Sequence, residues 1–150
     1  MSGFQGDRRK QALLLIAERT ALRAGVTLTQ IRRHVYSVLL DADAPLGAYD
    51  IVKTLDGVGA VAPVTAYRAL NCLQELGLIH KIRSTAKYVA LTSGPSDLPV
   101  AFVVCRECGT TEQIPLDLDP TRLLASAEAH GYGNLDPTIE ITGFCQNHQT

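Results

Sequence analysis

Four side chains of this 150-residue chain have the types and spacing to hold a metal ion: Cys105-x-x-Cys108 and Cys145-x-x-His148, with 36 residues between the pairs. Each pair can present two ligands from one tight turn. Two such turns brought together give the tetrahedral sulfur and nitrogen shell that Zn²⁺ prefers. A lone CxxC could serve redox chemistry, but the second pair and the adjacent Gly109 favour a structural metal. The alternative is a set of unbridged thiols in a reducing compartment. Against it stands the size of the acidic C-terminal part, about fifty residues, which needs a staple. A site closed by four protein ligands leaves no open position for a substrate. The chain also shows no nucleophile beside a base and no glycine-rich phosphate loop, so neither an enzyme nor a small-molecule substrate is expected. Cys72 falls inside a helical stretch and reads as core.

A second constellation lies in Pro63 to His80, PVTAYRALNCLQELGLIH. Ala66, Ala69, Leu70, Leu73, Leu76 and Leu78 recur near the helical interval, with Pro63 suited to the first helical position and Gly77 to the C-terminal cap. Away from that face, Thr65, Tyr67, Arg68 and Asn71 occupy the first two turns. Such side chains equip the leading end of a helix to read a DNA major groove. Alone, the stretch is equally an amphipathic helix with a solvated face. Its continuation decides between them. Ile79 to Arg83 and Lys87 to Leu91 alternate apolar and polar residues around a short turn and predict a β-hairpin carrying Lys81, Arg83 and Lys87. A helix-turn-helix followed by a basic hairpin is a winged helix, whose wing meets phosphates beside the groove.

The elements that must position these residues follow from spacing and breakers. Helices are predicted over Gly6 to Ala24, from a cap at Thr27 or Thr29 through Leu39, and over Leu46 to Leu55. Arg32 and Arg33 fall off the apolar stripe of the second and are expected to face solvent or phosphate, with His34 a surface or half-buried residue. Thr92 to Pro99 is loop-forming and marks the boundary. Strands are expected over Val100 to Val104, Thr111 to Ile114 and Ile139 to Phe144, with a helix over Leu123 to His130. Residues 1–91 carry twelve Lys and Arg against seven Asp and Glu, a balance of +5, and residues 92–150 carry two against eight, a balance of −6. Only the first part is therefore suited to a polyanion. No apolar run approaches a membrane span. The short stretch Ala12 to Ala17 is interrupted by Glu18 and Arg19 before any cleavage site, so a cytoplasmic protein is expected.

Taken together, VTAYRALNCLQELGLIHKI, then CxxCG, a helix, and a strand ending in GFCxxH resemble the ferric uptake regulator family of bacterial metal-responsive repressors. The run GLIHKIRSTAKYVAL is most similar to the zinc uptake regulator branch. The resemblance covers roughly residues 27–148. It implies an α+β chain: a winged-helix DNA-binding domain over 1–91, a hinge over 92–99 and a small α/β dimerisation domain with structural zinc over 100–150. It also implies a homodimer, paired through its C-terminal sheets, that sets two winged helices on a palindromic double-stranded operator, blocks polymerase and controls zinc homeostasis genes. Residue by residue, DNA contact falls to Thr65, Tyr67 and Arg68. Structural zinc falls to Cys105, Cys108, Cys145 and His148, the last standing where the family usually has a cysteine. For the regulatory metal of the family, only His80, Asp97 and Glu112 (or Gln113) stand near the usual positions, and Ala90, Leu91 and Leu98 replace its other donors. A second metal site of this kind is oxygen-rich and weak, so the regulatory site is expected to be weakened or atypical. The competing expectation is a zinc-stapled winged-helix module that binds a partner protein and no specific DNA.

Overall fold

Apolar residues at helical intervals build four helices in the first part of the chain. The computed structural model describes residues 2–59, 61–92, 100–116, 119–135 and 137–149, and the chain divides into two units, Met1–Pro95 and Ser96–Thr150. Helix α1 (Ser2–Arg23) begins before the predicted Gly6 and buries Leu13, Leu14, Ala17 and Ala21. Of the two candidate caps for α2 (Gln30–Asp41), Thr29 serves, its hydroxyl accepting from the Arg32 N–H at 3.3 Å. Val35, Tyr36 and Leu39 form its buried face. The neighbouring basic pair does not simply face outward: Arg33 ion-pairs with Glu18 of α1, and Arg32 donates to the Thr27 carbonyl at 2.7 Å. His34 is half-buried.

Helix α3 (Ala48–Leu55) starts two residues later than Leu46, the predicted start. Leu46 is taken by a β-bridge instead, donating its N–H to the Tyr88 carbonyl at 3.0 Å and accepting from the Tyr88 N–H at 2.8 Å. Helix α4 (Pro63–Glu75) has Pro63 in its first turn and fully buries Ala66, Leu70 and Leu73. It ends in a Schellman motif. Gly77, at φ +68°, donates to the Gln74 carbonyl at 2.9 Å, and Leu78 donates to the Leu73 carbonyl at 3.0 Å. That reversal feeds directly into the hairpin of β1 (Ile79–Ile82) and β2 (Lys87–Ala90), antiparallel with Ile79 opposite Ala90 and Ile82 opposite Lys87. Tyr36, Ile51, Leu55, Leu70, Leu73 and Leu78 form the centre of this unit's core, each fully buried.

The second unit is a three-stranded sheet in the order β4-β3-β5. Strand β3 (Val100–Cys105) pairs antiparallel with β4 (Thr111–Ile114) and parallel with β5 (Thr138–Gly143). The parallel pair requires a crossover, which contains α5 (Pro120–Ala129). This helix starts three residues before the predicted Leu123 because Asp119 caps it, accepting from the Thr121 N–H at 3.0 Å, with Pro120 in the first turn. Among the described residues of this unit the fully buried interior is confined to β3, where Ala101, Phe102, Val104 and Cys105 are buried. The expected hinge at 92–99 lies, from residue 93 onward, outside the described residues. Among the described residues no helix is long and apolar enough to cross a membrane.

Burial pushes the Tyr36 phenol from its ordinary value of 10.0 up to about 12. The neutral form is therefore favoured by folding, and its contribution is complete below pH 10 and lost as pH rises towards 12. A shift of this size corresponds to roughly 2–3 kcal/mol. Tyr36→Phe is expected to flatten the loss of stability across that interval in urea titrations. An unchanged alkaline slope would show that other groups govern it.

Candidate functional site

The sulfur and nitrogen donors are gathered at one end of the second unit's sheet. Strand β3 ends at Cys105, where the chain turns back through two backbone bonds. The Cys105 N–H donates to the Thr110 carbonyl at 2.9 Å, and the Gly109 N–H, with Gly109 at φ +72°, to the Cys105 carbonyl at 2.9 Å. Cys108 sits on that turn. The second pair arrives because β5 runs parallel to β3 with Gly143 opposite Cys105. The Arg106 N–H donates to the Gly143 carbonyl at 2.8 Å, and a single 3-10 turn, Gln146–His148, then folds His148 back over Cys145.

The four ligand atoms lie within 4.8 Å of one another. Cys108 Sγ is 3.8 Å from Cys145 Sγ, and His148 Nδ1 is 3.8 Å from Cys105 Sγ and 3.0 Å from Cys145 Sγ. A tetrahedral zinc with ordinary bond lengths spaces sulfurs about 3.8 Å apart and sulfur from nitrogen about 3.6 Å. The donor set and its geometry fit that ion, with Nδ1 as the imidazole donor. The backbone N–H groups of Cys108 and Cys145 hold the Cys105 thiol below its ordinary value, which favours the thiolate that a metal needs. The bond from the Cys145 N–H to Cys105 Sγ is 3.4 Å. Burial raises the Cys145 thiol, a cost that a cation at the centre reverses.

Three supporting residues, Arg106, Thr142 and Thr110, carry no signal in the spacing. The Arg106 Nε and Nη2 both donate to Thr142 Oγ1, at 3.2 and 3.1 Å, fastening the first turn to β5. Thr110 Oγ1 lies 3.1 Å from Cys108 Sγ. A cleft of about 770 Å³ opens on the cluster and is also lined by Glu112 and Phe144.

In the first unit, α4 presents the other constellation. Tyr67, Arg68 and Asn71 are exposed on the side opposite Ala66, Leu70 and Leu73, while Thr65 is half-buried on the flank. Val64, missed by an emphasis on polar residues, completes the exposed stripe at 54% exposure. Its signal was positional: residues 64, 67, 68 and 71 fall on one side of a helix. On the hairpin Lys81, Arg83 and Lys87 are exposed, and the Lys81 ammonium lies 5.6 Å from the centre of the Tyr88 ring. The sequence-predicted regulatory donors fall on different elements. His80 is half-buried on β1 of the first unit, Glu112 is exposed on β4 of the second, and Asp97 lies outside the described residues. Among the described residues, the one group of three or more potential metal ligands is Cys105, Cys108, Cys145 and His148.

Comparison with known proteins identifies relatives similar in sequence and in structure. The ferric uptake regulator family model matches residues 23–142. The zinc uptake regulation protein of Escherichia coli K12 is 30% identical over 138 residues, covering 90% of this chain and 80% of that protein. A solved zinc uptake regulator complexed with zinc and DNA superposes with a TM-score of 0.79 at 29% identity, covering 92% of this chain and 93% of the other. Holo XcZur gives a TM-score of 0.76 at 30% identity, covering 91% and 96%.

The cluster geometry makes a direct prediction. Cys105→Ser is expected to lower bound zinc by one equivalent per chain and destabilise the second unit, whereas Cys72→Ser leaves zinc content unchanged. Elemental analysis and thermal melts of both variants check it. Equal zinc content in Cys105→Ser and the parent would remove Cys105 from the ligand set.

Proposed function

The chain belongs to the ferric uptake regulator family of metal-responsive transcriptional regulators, and we propose that it is a homodimeric, sequence-specific repressor of zinc homeostasis genes acting in the cytoplasm. The observation that carries this reading is the exposed face of α4 led by its N-terminal end. Val64, Tyr67, Arg68 and Asn71 stand outward from a helix whose other side is locked into the core. An arginine there can bond two acceptors of guanine, and an exposed valine suits a thymine methyl. Lys81, Arg83 and Lys87 supply phosphate contacts from the hairpin that follows in the same unit.

Cys105, Cys108, Cys145 and His148 hold a zinc ion that ties the dimerisation unit together. Strand order leaves β5 at an edge of its sheet among the described residues, with Ile141 exposed on it and Phe144 exposed just after it, which supports pairing with a second copy. Two copies place two α4 helices on a palindromic duplex, where occupancy excludes polymerase without any chemistry on the DNA. The regulatory site of the relatives is weakened or atypical in this chain, since His80, Asp97 and Glu112 offer one nitrogen against two carboxylates.

Arg68→Ala is expected to weaken operator binding by roughly 1–3 kcal/mol while leaving zinc content and dimer mass unchanged. Neutralising Lys81 and Lys87 should lower the slope of log affinity against log salt by about one for each phosphate left without its cation. Fluorescence anisotropy with a palindromic duplex over a salt series reads both. Binding that is flat with salt and indifferent to Arg68 would sink the DNA reading and favour a protein partner.

A further inference from the structure

We propose that Tyr36 is a positioning residue: its buried phenol clamps the carbonyl of Leu91, where the chain leaves the hairpin, and so ties the start of the connector to the end of α4. This role rests on the reading of the chain as a dimeric DNA-binding regulator and makes Tyr36 a determinant of the half-site spacing that the dimer accepts.

Tyr36 is the largest fully buried side chain among the described residues. A phenylalanine would fill the same space on α2 without carrying a hydroxyl into the core, where a hydroxyl without a partner costs free energy. Here the phenol donates to the Leu91 carbonyl at 3.5 Å, across 55 positions of sequence. The bond joins the middle of α2 to the first residue after β2.

Leu91 is held on its other side as well. Its N–H donates to the Leu78 carbonyl at 2.9 Å, and the Leu78 N–H donates to the Leu73 carbonyl at 3.0 Å. The bonds therefore run in series from the last turn of α4, past the reversal at Gly77, to Leu91, and end on the phenol. Leu78 and Leu91 are both buried, so water competes little for these groups. Thr92, the next residue, is exposed. With its N–H engaged by the end of α4 and its carbonyl by α2, Leu91 fixes the direction in which the chain leaves the first unit.

The connector that follows is short. Residues 92–99 separate Leu91 from β3, and at no more than about 3.6 Å per residue such a tether limits where a first unit can stand. In a dimer both α4 helices have to reach their half-sites at one separation. A tether that starts from a clamped residue restricts each α4 to fewer orientations. One that starts from a freed carbonyl lets the pair reach half-sites at other separations. The phenol thus acts on spacing and touches no base.

The test uses the full, zinc-loaded chain in two variants. Tyr36→Phe keeps the ring and removes the hydroxyl, whereas Val35→Ala opens a cavity beside it on α2 and leaves the phenol in place. NMR reads the Leu91 carbonyl carbon, whose shift reports its hydrogen bond, and anisotropy reads binding to palindromic duplexes with the half-sites moved one base pair closer or further apart. In Tyr36→Phe the Leu91 shift is expected to move, and the preference for the best spacing to fall by about two- to tenfold per protomer, because the clamp enforces no more than one neutral hydrogen bond. Val35→Ala is expected to melt earlier while keeping both the shift and the spacing preference. Any of three results overturns the clamp: an unmoved Leu91 shift in Tyr36→Phe, a spacing preference equal to the parent's, or the same loss of preference in Val35→Ala. A parent that binds no duplex at any spacing rejects the DNA-binding reading alone, and the Leu91 shift then decides the clamp.

Discussion

The second unit has too little apolar interior to hold itself, and much of the structure answers to that constraint. Among its described residues the buried side chains all come from β3, and α5 buries none of its own. A sheet with a single buried strand is held at its ends or not at all. Convergence of Cys105, Cys108, Cys145 and His148 supplies that hold, and the parallel register of β3 and β5 brings the two halves of the cluster level. The Arg106 bonds to Thr142 and Gly143 work on the same joint from the outside.

The first unit solves the opposite problem. Its core is complete within the chain, built from α1 to α4 and the hairpin, so α4 can leave one side unpacked without loss of stability. The same helix is fixed at both ends, by Pro63 in its first turn and by the Schellman reversal at Gly77. That reversal sends the chain straight into β1. The exposed residues of α4 and the basic residues of the hairpin are thus joined through one short reversal of the backbone, which supports the proposed reading of a groove and its flanking phosphates.

What the sequence disclosed was what local chemistry dictates. Cysteine and histidine spacing announced the cluster, and proline and glycine announced the ends of α4, because each acts within a few residues of itself. What stayed hidden depended on register between distant segments. Leu46 reads as a helix start by periodicity, yet it bridges to Tyr88, 42 positions away. Thr142 is an unremarked strand residue until β5 lies beside the Arg106 turn. Arg33 reads as a solvent-facing cation until Glu18 of α1 is brought against it. Val64 was overlooked for a different reason: an exposed apolar residue at a helix start carries no mark in composition, only in its place on the stripe.

Charge placement gives the two units distinct roles before either meets a partner. The residues up to 91 carry +5 and those after it −6, so a polyanion attracts one part and repels the other. The ion pairs sharpen this. Lys10 and Arg33 are matched by Asp41 and Glu18, so neither adds an unmatched charge to the surface of the first unit. A zinc ion with three thiolates and one imidazole remains a net anion, so occupancy of the cluster does not make the second unit attractive to DNA. At physiological salt these fields fade within about 8 Å, so they act on a polyanion only once it is close to the surface.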